Sequence, residues 1–423
     1  MNLHSDASDR EASAPLMSER RVSILGALLV ALGPVSMALF TPAMPEIVHA
    51  FGTTESAVKM TISLYFAGFA VAQLLCGPLS DGLGRKPVTF GFIAIYIVAS
   101  FMALIAPNIE TLIAARFIQG FGAAVGVAVS RALVRDLFTQ ESSARIMNLI
   151  GIILAIGPAF APTLGGLTMQ LAGWQAIFVL MLIAGLVIAL VIHFFLRETV
   201  ERDLSRISPR ALIHSYRLLL GSTYFMLSSL VIAGSVGAIY TQATVLPFIL
   251  MSRVGLTPAE FGIGMLAQSG MYFVGAIAAR YLMRRIGADR LVPIGLTAIG
   301  LGSVSLIVSL TRFEPTFLGV MGPVGIYAFG IAFVMPAMMT AGLAPFPRIA
   351  GSASSLTGFL QMGTGLAGGS LAALIGDPVL AMVLIIPTLG AVAIVSWLIW
   401  RRLPEPAMAT ALRPGPPGPI QPV

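Results

Sequence analysis

The sequence predicts an all-α membrane protein, with twelve transmembrane helices arranged as two pseudo-symmetric six-helix bundles. Three observations predict it. Of 423 residues, 57% are hydrophobic and only 10% are charged, whereas soluble domains are about 25% charged; too few ionic groups remain to cover a water-facing surface. Apolar runs of about 20 residues, long enough to cross the hydrocarbon core, recur along the chain. Basic residues collect in alternate gaps between those runs, as they do in the cytosolic loops of membrane proteins.

Taken in order, residues 1–21 are polar and lack an apolar core followed by a cleavage site, so they read as a cytosolic tail rather than a secretory signal. The expected spans of the first bundle are 22–42, 57–79, 88–106, 111–130, 146–168 and 174–196, each good to about a few residues. Residues 197–221 form the most charged stretch, contain Pro209, and read as a cytosolic linker. The second bundle is expected at 222–250, 260–279, 291–311, 315–340, 352–375 and 378–400, within about the same margin. Residues 401–423 are rich in proline and should be a disordered cytosolic tail. Gly and Pro recur inside the spans, which membrane helices tolerate because their neighbours re-satisfy the freed backbone groups.

Charge counting tests this layout. With the N-terminus inside, 21 of the 25 basic residues fall in inner segments; Lys59, Arg253 and Arg312 fall outside, and Arg116 lies within a span. An odd number of spans would scramble that asymmetry, which supports the span count and puts both termini in the cytosol; the expected location is the cell (inner) membrane. The two halves also echo one another. Asp81-Gly-Leu-Gly-Arg-Lys-Pro follows span 2 and Arg284-Arg-Ile-Gly-Ala-Asp-Arg follows span 8, with Gly84 and Gly287 at matching positions. Transporters built from related halves place their substrate between them near the midplane.

Several function classes are excluded. A net charge of +7 could suggest nucleic acid, but no basic stripe is interleaved with aromatics. Cys76 is the single cysteine, so no internal disulfide or thiolate cluster can form, and the four histidines lie far apart. No cofactor or metal is called for. Nor do His, Asp or Ser cluster as in a membrane-embedded enzyme, so the chain is not expected to be an enzyme.

Three motifs carry chemistry. Gly77-Pro-Leu-Ser-Asp81-Gly82-Leu-Gly84-Arg85-Lys86-Pro87 places ions of both signs at a tight turn on the membrane edge, a cluster able to latch one conformation and break in another. The duller alternative is an ordinary turn with positive-inside residues. Arg116-Phe-Ile-Gln119-Gly120-Phe-Gly122 sets a cation inside span 4. An intramembrane charge costs about 3 kcal/mol or more and is a functional candidate by default, unless it snorkels to the headgroups. Gly157-Pro158 and Pro162-Thr-Leu-Gly165-Gly166 in span 5 allow close helix packing and bend the helix; a generic kinked helix is the alternative.

The first motif resembles the signature loop of the major facilitator superfamily, G-x-x-x-D-R-x-G-R-R/K, with Gly82 where that family usually has Arg. The second is similar to the family's R-x-x-Q-G motif, whose Arg is thought to respond to substrate or proton, and the third to its antiporter motif. Thr41-Pro-Ala-Met-Pro-Glu46, Ser130-Arg-Ala-Leu-Val-Arg-Asp136-Leu-Phe, Gly173-Trp-Gln-Ala-Ile-Phe and Ala350-Gly-Ser-Ala-Ser-Ser-Leu narrow the resemblance to the Bcr/CflA group of drug:proton antiporters, over most of residues 22–400. The resemblance implies export of small hydrophobic drugs by alternating access. In that scheme Asp81, Arg85, Lys86 and Asp136 form a conformational latch, and Arg116 with Gln119 supplies a cavity charge. It also implies protons as coupling ion, yet the acid this group carries in span 1 is replaced by Ala38, and none of the 18 acidic residues falls in a span interior.

A pocket for hydrophobic compounds is lined by apolar and aromatic groups with a few polar ones. By span position the candidates are Met37, Phe40, Tyr65, Tyr240, Gln242, Gln268, Tyr272 and Gln361. The expected partners are a small-molecule substrate, protons and the lipid bilayer, with the chain working as a monomer. Transport of a polar metabolite such as a sugar or nucleoside is the alternative, though it would call for several intramembrane Asn, Asp or Glu groups. A non-transporting receptor or membrane enzyme is the remote one.

Overall fold

The computed structural model describes residues 16–138, 140–204, 207, 209–287 and 290–404; most of the two expected tails, 1–15 and 405–423, lies outside the described residues. The described chain is helical, with no strand among the described residues. The first half contains α1 (Glu19–Phe40), α2 (Met44–Ala50), α3 (Glu55–Leu83), α4 (Arg85–Leu104), α5 (Ile109–Ala123), α6 (Val125–Leu137), α7 (Gln140–Ala172) and α8 (Trp174–Phe195). Helix α9 (Pro209–Gly221) lies in the expected linker. The second half contains α10 (Thr223–Pro247), α11 (Pro258–Ile286), α12 (Leu291–Arg312), α13 (Phe317–Leu343), α14 (Ala350–Ile375) and α15 (Pro378–Trp400).

Eleven spans counted over the described residues are long and apolar enough to cross a membrane, α1 with α2, α5 with α6, and α10 with the turn after it each making one; α7, 33 residues long, supplies the twelfth crossing. The breaks have local causes. Pro42 starts a 3-10 turn over Thr41–Ala43 between α1 and α2. Pro247 ends α10, and a π-turn over Phe248–Arg253 follows. Span 4 breaks at Ala124, which divides α5 from α6.

Helix starts follow the sequence closely. Thr54, Asn108, Ser222 and Asp377 each accept a backbone N–H from the first turn of the helix they precede. Thr257 and Glu260 form a reciprocal capping box at the start of α11. These contacts satisfy donors that have no partner within the helix. The turns that echo each other in sequence share a backbone conformation: Gly84 (φ 102°, ψ 149°) and Gly287 (φ 82°, ψ 162°) both take the positive φ that only glycine adopts without strain.

Small residues set the packing inside the first bundle. A Cβ on Gly120 would overlap the Tyr65 carbonyl and one on Gly68 the Phe117 carbonyl, so α3 and α5 touch backbone to backbone. Gly126 meets the Leu29 carbonyl in the same way and seats α6 on α1. One apolar core runs from Met17 to Leu196 with a few second-half residues at its edge, and another from Val231 to Ala393. The halves meet where α3 lies along α14 and α7 along α11.

Candidate functional site

Arg116 on α5 is wholly buried. It does not snorkel. Its guanidinium carbon lies 4.5 Å from the centroid of the Phe40 ring on α1 and 4.3 Å from that of Tyr65 on α3. Such cation–π contacts contribute about 2 kcal/mol or more each when desolvated. One Nη donates to Gln119 Oε1 and lies 4.0 Å from Met181 Sδ of α8. Gln119 in turn donates to Ser100 Oγ at 2.8 Å. The walls are themselves pinned: Tyr65 donates its hydroxyl to the Gly33 carbonyl at 2.9 Å, and the Tyr96 and Ser36 hydroxyls share a hydrogen bond of 2.6 Å.

Two of the guanidinium's donors, Nε and the second Nη, are buried without a hydrogen-bond partner. No carboxylate pairs with Arg116 among the described residues, and no Asp or Glu among them is buried. A buried charge with unfilled donors is costly. It can therefore recognise an anionic or carbonyl group that enters the site, or respond to a change in its hydration.

The signature turn forms a second cluster at the membrane edge. Arg85 is 2% exposed and pairs with Asp81 at 2.5 Å and Asp136 at 3.1 Å. It also donates to Ser80 Oγ at 2.7 Å. The fourth ion is Arg135, 3.8 Å from Asp81 and 3.7 Å from Asp136, where sequence reasoning puts Lys86. Lys86 turns away and donates to the His193 carbonyl at 2.8 Å. The residue missed beside it is Glu198, whose carboxylate accepts from the backbone N–H groups of Arg85 and Lys86 and so caps α4. All of these ions belong to the first half except Glu198, which opens the linker.

At Gly82 the linker takes the space. Asp203 donates its N–H to the Gly82 carbonyl at 2.9 Å. A Cβ at Gly82 would overlap Ile207 and crowd the Asp203 carbonyl. An arginine there would have to displace the Ile207 side chain and press on the Asp203 carbonyl.

The α7 motif lies between the halves. Gly157 faces Val35 of α1, and Gly165 meets the Leu39 carbonyl. On the other side Gly166 meets the Pro258 carbonyl and Gly262 the Pro162 carbonyl. Thr163 Oγ1 donates to the Gly262 carbonyl at 2.9 Å, and Pro158 and Pro162 both lie inside the continuous helix. Among the cavity candidates, Gln242 donates to Gln268 at 2.7 Å within the second half. Tyr240 meets the Phe66 ring across the halves at 5.2 Å. Met37 packs in the first-half core, Gln361 is 7% exposed on α14, and Tyr272 is partly buried on α11. Phe40 and Tyr65 join Arg116, and the remaining candidates do not.

Charge counting puts Lys59 on the outer side of the membrane, at the start of the expected span 57–79. Lys59 is wholly buried near the start of α3, at the end of the spans opposite the signature turn. It donates to the Gly376 carbonyl at the end of α14 at 2.6 Å, pairs with Glu55 at 3.4 Å and lies 5.2 Å from the Phe248 ring centroid. Ser56 donates to the Ala373 carbonyl beside it at 2.7 Å. The Glu55-x-x-x-Lys59 spacing, one turn apart on a helix, is the signal that could have found it. Arg131 donates to Ser354 Oγ between the halves at the signature-turn face.

Comparison with known proteins follows this geometry. The family model described as Major Facilitator Superfamily matches residues 26–369. The chain is 29% identical to the uncharacterized MFS-type transporter YdgK of Bacillus subtilis, over 81% of this chain and 85% of that one. It is 30% identical to the multidrug resistance protein MdtL of Salmonella paratyphi C, again over 81% and 85%. Its fold is similar to that of a D-xylose-proton symporter, with a TM-score of 0.71 over 91% of this chain and 98% of that one, at 13% identity.

Proposed function

We infer the function from the premise that this chain belongs to the major facilitator superfamily, whose family model covers residues 26–369: it is a multi-pass membrane transporter that exports small hydrophobic compounds, drugs among them. The single observation that carries this reading is the environment of Arg116. A buried cation among aromatic rings, with two donor nitrogens unfilled, suits a largely apolar molecule that carries one acceptor or anionic group. It does not suit a sugar, which needs many polar partners. Similarity to a multidrug resistance protein supports the same substrate class.

Transport proceeds by alternating access, the two bundles rocking about the α3–α14 and α7–α11 contacts. Asp81, Arg85, Arg135 and Asp136 hold the ends of α3, α4 and α6 together as one latch, and the glycines and prolines of α7 let it shift against α1 and α11. Coupling is by proton antiport. Since no Asp or Glu among the described residues is buried, the exchanging carboxylates are those at the span ends, Asp81 and Asp136 at one face and Glu46 at the other. Both termini and the signature turn face the cytosol, the protein sits in the inner membrane, and it works as a monomer.

The test is drug accumulation in cells stripped of their own exporters. Expression should lower accumulation of several hydrophobic drugs, and an uncoupler should restore it. Unchanged accumulation across the whole panel would overturn the export reading, and insensitivity to the uncoupler would remove the proton.

A further inference from the structure

A cavity lies away from Arg116, at the membrane edge on the signature-turn face. It measures about 500 Å³ and is lined by Lys86, Pro87, Phe90, His193, Glu198 and Arg202. We propose that it binds the phosphate headgroup of an anionic phospholipid, with Lys86 and Arg202 as its ligands and Phe90 and Pro87 as the apolar seat beneath.

The position fits. Helix α4 begins at Arg85 and α8 ends at Phe195, so the cavity opens where the spans leave the hydrocarbon and headgroups lie. Phe90, Phe194 and Phe195 are 42%, 68% and 52% exposed around it, an apolar surface suited to acyl chains. Basic pockets between membrane helices at this depth bind anionic headgroups.

The charge also fits, once Glu198 is accounted for. Its carboxylate accepts four backbone N–H groups, from Arg85, Lys86, Thr199 and Val200. That occupies the start of α4, so an incoming anion cannot use the helix terminus and must be held by side chains. Arg202 is exposed and has no hydrogen bond or ion pair with any described residue. Lys86 uses one of its three donors on the His193 carbonyl and keeps two free. Arg21 lies beside the site, donating to the Phe194 carbonyl at 3.3 Å and stacking 5.4 Å from the Phe195 ring centroid, and adds a further positive charge. A guanidinium and an ammonium around a phosphate form charge-assisted hydrogen bonds, the stronger kind.

The site is read by native mass spectrometry of the full-length protein in detergent, titrated with phosphatidylglycerol or phosphatidylcholine of matched chains. Phosphatidylglycerol should be retained in preference, and Arg202→Gln should weaken its retention about fivefold, the effect of one cation near the headgroup layer. Arg202→Lys should restore most of it. Arg210→Gln, an exposed arginine outside the cavity, should leave the preference unchanged. Because Arg202 is exposed and unpartnered among the described residues, its replacement does not put folding at stake. An equal affinity for both lipids, or a preference untouched by Arg202→Gln, overturns the proposal. So does displacement of the lipid by inorganic phosphate appearing in its place, which would assign the cavity to the free anion.

Discussion

Arg116 and Lys59 are both buried cations, but they are stabilised differently. Lys59 has a carbonyl, a carboxylate and a ring around it, whereas Arg116 keeps two empty donors. Planarity should matter at Arg116, because a flat guanidinium covers two rings and a lysine ammonium cannot. Arg116→Lys is therefore expected to lose at least tenfold in transport rate while the amount in the membrane stays constant, checked by vesicle transport beside a membrane immunoblot. That Arg116 lies inside a span was legible in the sequence, because a basic residue in a span interior is rare enough to stand out. Its aromatic walls were legible only in part: Phe40 and Tyr65 were among eight candidates, but nothing in their spacing ties either to Arg116. Lys59 was hidden because a positive residue near a span end looks like loop, and only the contact with α14 shows it inside.

Between helices, the close approaches carry most of the specificity. At Gly120 a side chain meets backbone, the Tyr65 carbonyl, which cannot swing aside. Gly120→Val should force α3 from α5, disturb Tyr65 beside Arg116, and cost about 3 kcal/mol, the upper part of the overpacking range; thermal unfolding in detergent measures it. Gly82→Arg, which restores the residue usual in the family, should instead push Ile207 and Asp203 off the turn. The expected result is faster tryptic cleavage in the linker, at Arg202, with only a small loss of stability. The order and ends of the helices were readable from apolar run length, cap residues and glycine turns. The splitting of span 4 at Ala124 was not, because no proline or capping side chain marks it. The seating of the linker on Gly82 was unreadable for a related reason: the sequence marks the missing arginine but not what fills its place.

For the whole molecule, the question is which face opens. At the face opposite the signature turn the halves are tied by Lys59 to Gly376 and by Ser56 to Ala373. A hydrogen bond to a charged group contributes about 1.5–3 kcal/mol, enough to shift an equilibrium between two open states by roughly tenfold or more. Lys59→Met should therefore raise labelling of a cysteine placed on that face by a similar factor, in a chain whose one native cysteine, Cys76, is buried. The two-bundle plan was legible from span count, charge asymmetry and the echo of Gly84 in Gly287, whose backbones agree in the structure. The contact between the bundles was not, since Gly358, Gly365 and Gly369 of α14 give no sign of the α3 side chains they meet, Gln73, Phe66 and Ser63. The most direct measurement is uptake of a fluorescent hydrophobic drug into inverted membrane vesicles under an imposed pH gradient, for the native chain and Arg116→Ala at equal expression. The expected result is gradient-driven uptake by the native chain and background uptake by the variant. Equal uptake by both would contradict a role for the buried guanidinium, and no uptake by either across a panel of drugs would contradict export itself.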